Sequence, residues 1–350
     1  ENPDRIMRNI VQTTRNEKGA YCILLNVTGA WVPVPLDDIF PVRKDGVLAF
    51  SYTKTNEIWA MLFEKAYAKV YGGYMNIGSG GMCSNALSDI TGAPCNHINL
   101  STPEELKTAW ENASSGDRLG FIMNASSKGQ GETKNANGII AGHAYTLQSV
   151  YELNGEKLLK LRNPWGKGEW TGAWGDNSNK WTNELKLQVG WTAADDGTFY
   201  IGWNDFLANF DGISICHYKY DYIYSYLKDT NSDEEVTVFQ FTVHKDGEYY
   251  LGMSQPDKNM FKHDKNYQYG YMSCLVGMKD EKGQMKYVEG FGEATRDPWL
   301  KTTLKAGSYF AIVYTNWNSQ KREDLTFWQY GPAKTTIRKV RSRSEEHTSE

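Results

Sequence analysis

The sequence predicts an α+β chain, with a helix-bearing opening, a strand-rich middle and an all-β sandwich towards the end. Three observations carry this reading. Apolar residues recur at helical spacing around residues 56–71 and 102–116, whereas from 119 to about 217 the apolar runs are short and rich in β-branched and aromatic residues. From 236 to 331, strand-like runs alternate with turn dipeptides such as Asp246-Gly247 and Ala306-Gly307, the pattern of a separate antiparallel sandwich. The length of 350 residues leaves room for about two domains, each with its own core.

Taken in order, residues 21–31 read as a strand that runs into Val32-Pro33-Val34-Pro35, where proline confines the chain to an edge strand or loop. A helix follows, with Asn56 as N-cap and Trp59, Leu62, Phe63, Ala66 and Val70 as its apolar stripe, ended by Gly72-Gly73. Residues 72–96 are rich in Gly, Ser and Asn and read as loop, with a hinge near Gly92. A second helix opens with Thr102 as N-cap, Pro103 at the first helical position and Glu105 closing a capping box; it is expected to end by Gly116. Strands are then expected over residues 119–123, 141–153, 157–162, 197–203 and 213–218. Residues 343–350 contain no hydrophobic side chain and resemble translated sequencing adaptor, so 336–350 is expected to be a disordered tail outside the fold.

Composition excludes several functions. With 40% hydrophobic and 23% charged residues and a net charge of -4, the chain is neither globally disordered nor collagen-like, and it lacks the footprint of a nucleic-acid binder. Its longest apolar runs fall well short of the roughly 18 residues of a membrane span. The opening Glu1-Asn2-Pro3-Asp4-Arg5 has no signal-peptide build, and a start inside a longer protein is expected. Cys22, Cys83, Cys95, Cys216 and Cys274 are odd in number and contain no CxxC. That argues against a disulfide framework, a zinc ribbon or a disulfide-linked partner, and for a reducing, cytoplasmic setting.

The most informative segment is Gly142-His143-Ala144-Tyr145 followed by Leu158-Leu159-Lys160-Leu161-Arg162-Asn163-Pro164-Trp165-Gly166, with Asn154-Gly155 between them. It reads as a hairpin. Tyr145, Leu147, Tyr151, Leu153, Leu159 and Leu161 put the apolar residues on odd positions of both arms, so odd must pair with odd. A two-residue turn would pair Leu153 with Glu156 and break that parity. A three-residue loop, Leu153-Asn154-Gly155, keeps it, with Glu152 facing Glu156. Asn163 then lies opposite Tyr145, one diagonal step of about 7–8 Å from His143 on the same face. An amide oxygen on one imidazole nitrogen fixes the tautomer and leaves the other nitrogen free to exchange protons, which is the orienting half of a Cys-His-Asn triad. The competing reading is a core histidine beside a plain Asn-Pro turn.

Those blocks, continued by Glu169-Trp170-Thr171-Gly172-Ala173-Trp174, resemble the His and Asn blocks of the calpain family of papain-like cysteine proteases. Residues 64–74, Ser88-Asp89-Ile90-Thr91-Gly92 and residues 195–206 resemble further parts of its two lobes, and 219–335 its C2-like sandwich. The resemblance implies the remainder of a first lobe at 1–92, a second lobe at 93–217 and the sandwich at 218–335. It further implies His143 as general base and acid, Asn163 as its orienter, and Trp165 as an indole shielding the His–Asn bond from water. The family's nucleophile lies in a Cys-Trp motif with an oxyanion-hole glutamine just before it. None of the five cysteines matches that motif, so the residue is expected upstream and this chain alone is not expected to cleave peptides. Calcium is implied too. Glu169, Asp176 and Asp196 match acidic ligands of the second lobe, while Thr198 and Asn85 stand where the family carries acids.

The resulting expectation is a calcium-linked cytoplasmic endopeptidase acting on polypeptides. The alternative is a non-catalytic calpain-like binding or regulatory protein, and a carbohydrate-binding module rests only on the 12 Trp and 22 Tyr. Membrane or lipid contact through the sandwich is left open.

Overall fold

Two successive left-handed residues set the first hairpin of the chain. In the computed structural model, which describes residues 3–340 apart from 13, 15, 16, 54, 56, 231–235 and 318–323, Thr28 and Gly29 both have positive φ. This is the left-handed pair that a tight hairpin turn requires. The run expected as one strand is therefore two, β1 (Ala20–Val27) and β2 (Ala30–Asp37), paired antiparallel after a short helix α1 (Pro3–Met7). Pro33 and Pro35 fall on β2, which has a single partner and so tolerates the missing N–H groups. Helix α2 (Trp59–Val70) lays Leu62, Phe63 and Ala66 onto Tyr21, Ile23, Leu25 and Val34 of this hairpin. Its expected cap, Asn56, lies outside the described residues. The segment read as loop contains two more helices, α3 (Tyr74–Gly78) and α4 (Cys83–Thr91), the second stopped by Gly92 in a left-handed conformation. Cys83 is thus helical.

The described chain divides into two compact units, one made of Glu1–Met82, Ser88–Pro94 and Tyr220–Glu350, the other of Cys83–Leu87 and Cys95–Lys219. In the second, β3 (Cys95–Asn99) leads into α5 (Pro103–Arg118), then β4 (Ile122–Ser127), β5 (Ala144–Leu153), β6 (Glu156–Arg162), α6 (Asn183–Val189), β7 (Thr198–Gly202), α7 (Trp203–Asn209) and β8 (Phe210–Cys216). The strands form one antiparallel sheet in the order β3-β8-β4-β5-β6-β7. Helix α5 packs Ala109, Trp110 and Ala113 on one face of the sheet, with Tyr145, Leu147, Leu159, Leu161 and Phe199 in the same core. Its start differs from the capping box. The Thr102 side chain makes no cap, and Glu105 instead accepts from the Asn99 backbone N–H. The helix also runs past Gly116, because that glycine is at a contact rather than an end: a Cβ there would stand 2.9 Å from Met123 Sδ.

The hairpin β5–β6 corrects the expected turn. Asn154 and Gly155, with φ of 52° and 81°, make a two-residue turn that pairs Leu153 with Glu156. Odd pairs with even as far as Ser149↔Lys160, and a bulge at Gln148 then restores Leu147↔Leu161. Val150 N–H beside the bulge donates to Asp117 Oδ2 at 2.8 Å. Tyr151 and Leu153 therefore face the opposite side from Tyr145 and Leu147, packing near Leu158, Trp174, Trp181 and Tyr200 in a second core.

In the first unit the later strands are β9 (Ile223–Thr230), β10 (Val236–Val243), β11 (Gly247–Ser254), β12 (Tyr271–Lys279), β13 (Met285–Glu293), β14 (Trp299–Leu304), β15 (Gly307–Asn316), β16 (Asp324–Gly331) and β17 (Thr336–Lys339). They form a five-stranded sheet, β13-β12-β15-β10-β17, and a four-stranded one, β14-β11-β16-β9. Period-two alternation turns Phe239, Phe241, Leu251, Met253, Val313 and Phe327 into a shared core, which is the architecture of a β-sandwich. Strand β17 lies in the segment expected as tail, since Phe241↔Ile337 pairing gives it a place on the sheet edge; 341–350 lie outside the described residues. Deep in the same unit, Arg296 meets Asp89 at 2.8 Å, Asp257 at 3.3 Å and Asp297 at 2.5 Å. Tyr71 and Tyr67 hydroxyls donate to Asp89. Burial, ahead of the opposing pull of Arg296, pushes the Asp89 carboxyl up to about 6.

Candidate active site

His143 stands immediately before β5 and Asn163 immediately after β6, at the end of the hairpin where odd pairs with odd. His143 Nε2 and Asn163 Oδ1 are 3.0 Å apart, with His143 8% exposed and Asn163 fully buried. The amide orientation is settled by its other contacts. Asn163 Nδ2 donates to Gly168 O at 3.2 Å, and Oδ1 also accepts from Trp165 N–H at 3.1 Å. The oxygen therefore faces the ring, and Nε2 is the donor.

Backbone contacts hold both residues. Ser127 N–H donates to His143 O at 3.0 Å, and His143 N–H donates back to Ser127 Oγ at 2.9 Å, extending the β4–β5 ladder by one pair. Asn163 N–H donates to Gly197 O at 2.8 Å. Gly197, at φ 85°, has no room for a side chain, since a Cβ would stand 2.8 Å from Asn163 O and 3.0 Å from Lys167 N. The Trp165 ring lies against His143 with centroids 4.6 Å apart, and Tyr145 meets the same imidazole edge-on at 5.1 Å. Trp165 is 44% exposed, so it covers His143 on one side and meets water on the other.

Sequence reading missed Glu132. Its Oε1 lies 3.3 Å from His143 Nδ1, the ring nitrogen opposite the one Asn163 holds. Asn163 and Glu132 thus set an acceptor oxygen against each ring nitrogen. Glu132 sits in the Gly- and Asn-rich stretch between β4 and β5, where no periodicity predicts which side chain turns inward. Among the described residues, Asn163, Glu132, Tyr145 and Trp165 meet the His143 ring, and none of these is a cysteine.

The acids Glu169, Asp176 and Asp196 gather in the same unit. Glu169 Oε1 accepts from the N–H groups of Asp196 at 3.1 Å and Gly197 at 2.8 Å. Asp176 Oδ1 is buried without a hydrogen-bond partner. Burial first, then Glu169, Asp196 and Asp195, push the Asp176 carboxyl up to about 6. Asp196 is held below its usual range, chiefly by the Thr198 hydroxyl, and its Oδ1 accepts Thr198 N–H at 2.8 Å. Thr198 thus caps the neighbouring acid. Among the described residues, no three His, Cys, Asp or Glu side chains are arranged to hold a metal ion.

Residues 1–217 match the model of the calpain family cysteine protease. This chain belongs to the calpain family. It is 35% identical over 221 residues to the calpain-type cysteine protease ADL1 of Oryza sativa subsp. japonica, covering 61% of this chain and 10% of that protein. Calpain-9 of Mus musculus is 36% identical over 196 residues, covering 53% and 28%. Calpain-5 of Caenorhabditis elegans is 32% identical over 253 residues, covering 61% and 38%. The chain thus spans well under half the length of each of these calpain relatives. Among the described residues, no helix is long and apolar enough to cross a membrane.

Proposed function

We propose that this chain carries the base-and-orienter half of a cytoplasmic calpain-type endopeptidase acting on polypeptides. The observation that supports this most directly is the buried His143 Nε2–Asn163 Oδ1 contact at 3.0 Å, with the amide orientation fixed by Trp165 and Gly168. With Nε2–H held, Nδ1 is the nitrogen that exchanges protons. A cysteine thiol outside residues 1–350 would give its proton to His143 and attack the scissile carbonyl carbon. As the C–N bond breaks, the leaving amine takes that proton back from His143, leaving an acyl-enzyme thioester. His143 then deprotonates a water, which attacks the thioester and restores the thiol. Trp165 lowers the local dielectric on one side of the ring and strengthens the His–Asn bond. Glu132 must leave Nδ1 for the thiol to reach it. The chain on its own is expected to be inactive.

The same reading assigns calcium to Glu169, Asp176 and Asp196, which do not form a metal-holding group as they stand and would have to close around the ion. The donors are hard carboxylate oxygens, and the buried, unsatisfied Asp176 Oδ1 among like charges is what a divalent cation would relieve. When bound, the ion would neutralise these acids and tie the loop after β6 to the one before β7.

The test is to sequence the transcript upstream of Glu1 and express the complete protein. A glutamine followed several residues later by Cys-Trp, with peptidase activity lost on His143→Ala, is the expected result. An inert residue in place of that cysteine refutes the protease and leaves the binding protein.

A further inference from the structure

We propose that Cys95 and Cys216 are a disulfide-forming pair that staples the edge of the six-stranded sheet. Both are thiols, and they face each other in the antiparallel β3–β8 register. Just beyond that ladder, Leu100 N–H donates to Asp211 O at 2.8 Å, which makes Leu100 and Asp211 a hydrogen-bonded pair. Hydrogen-bonded and non-hydrogen-bonded pairs alternate along an antiparallel ladder. Asn99–Gly212, His97–Ser214 and Cys95–Cys216 are therefore the narrow, non-hydrogen-bonded pairs. Their Cα atoms stand about 4.5 Å apart, within the roughly 4.4–6.8 Å that a disulfide spans. The neighbouring narrow pair confirms that side chains meet on this face, since His97 Nδ1 and Ser214 Oγ are 3.1 Å apart.

The other cysteines have no such opposite. Cys22 pairs with Pro35, Cys274 pairs with Phe291 and Val313, and Cys83 begins a helix. Cys95 is partly exposed and Cys216 fully buried, so an oxidant reaches Cys95 first. Hydrogen peroxide would convert the Cys95 thiol to a sulfenic acid with release of one water. The Cys216 sulfur then attacks the sulfenic sulfur, the S–O bond breaks, and a second water leaves as the S–S bond forms; the two thiols supply the two electrons peroxide accepts.

The placement gives this bond a consequence. Strand β3 is a five-residue edge strand held only by β8, and β8 also pairs with β4, whose other neighbour β5 follows His143. Cys95 opens the segment Cys95–Lys219 of this unit and Cys216 lies near its end. Oxidation therefore closes the segment into a covalent ring and pins a short edge strand, without touching the His143–Asn163 pair.

The experiment is peroxide treatment of the folded chain, quenching in denaturant with iodoacetamide, and peptide mapping without reductant. The expected product joins the Cys95 and Cys216 peptides, is lighter than the two together by two hydrogens, and disappears with dithiothreitol. It persists in a Cys22→Ser, Cys83→Ser, Cys274→Ser triple variant and is absent from Cys95→Ser. Oxidised protein should melt about 5 °C or more above reduced protein, and Cys95→Ser, or Cys95→Ala if the serine misfolds, should melt the same before and after treatment. Over-oxidised Cys95 with alkylated Cys216, cross-links to another cysteine, or linkage only in unfolded protein would overturn the assignment. The readout is mass and melting, so it is independent of whether the chain's complete form is a protease.

Discussion

Removing the amide of Asn163 tests how the base is held. The side chain is fully buried and makes three hydrogen bonds, to His143, Trp165 and Gly168. Asn163→Ala deletes all three, at unequal cost. Trp165 is exposed and Gly168 half-buried, so water replaces the amide there and each loss is about 0.5–1 kcal/mol. The Nε2–H of His143 faces the vacated, buried space, and an unsatisfied buried donor costs about 1–3 kcal/mol. The total is about 2–5 kcal/mol, or a fall in melting temperature of about 6–15 °C for a unit of this size. Scanning calorimetry of the whole chain resolves it as a shift of one transition, since two compact units need not unfold together. Asn163→Asp keeps the oxygen on His143 but sets a second oxygen against Gly168 O, so an intermediate loss is expected. A shift below about 2 °C for the alanine variant would refute the idea that this amide anchors the imidazole.

Further outcomes follow from the same contacts. Gly197→Ala places a methyl group against Asn163 O at a left-handed φ, and should lower the same transition by as much as Asn163→Ala while leaving the His and Asn side chains intact. Asp176 binds its proton more readily folded than unfolded, so its contribution to stability is full below about pH 3.8 and is lost as pH rises through about 6. Calcium-free melting curves should therefore decline over that interval. Asp176→Asn should flatten the decline, melt higher at pH 7 and abolish the rise that calcium gives the parent chain; an undiminished calcium shift would remove Asp176 as a ligand. Arg296→Met leaves the buried Asp89 and Asp257 without their cation and should cost about 3–5 kcal/mol, read by urea unfolding, with partial recovery on lowering the pH as Asp89 protonates.

The meeting of His143 with Asn163 was legible because apolar parity fixes register at the end of the hairpin nearest the site. The turn was not, because Gln148 and Ser149 are polar and the bulge they form leaves no mark on hydrophobic periodicity. Helix α4 was hidden for a related reason: Ser84, Asn85, Ser88 and Asp89 dilute its apolar stripe, and tertiary contacts supply what propensity does not. Glu132 and the Arg296 cluster were out of reach for a different reason. Their partners are brought together by loop closure or across some two hundred positions of chain, as in Asp89 with Arg296, and single-sequence pattern carries no signal of that kind. Composition and motif reached the family, while the geometry of its acids needed coordinates.

The extra residue at Gln148 has an engineering consequence. On the site side of it, β4 clamps β5 through Met123↔Leu147, while β7 holds β6 on both sides of it, from Leu161↔Phe199 to Leu158↔Gly202. On the far side, Asn154 and Gly155 are exposed at the tip. A peptide tag or small reporter domain spliced between those two residues would load only the distal part of the ribbon. A cargo carried there sits at the opposite end of the ribbon from the imidazole, with the β6–β7 ladder between them.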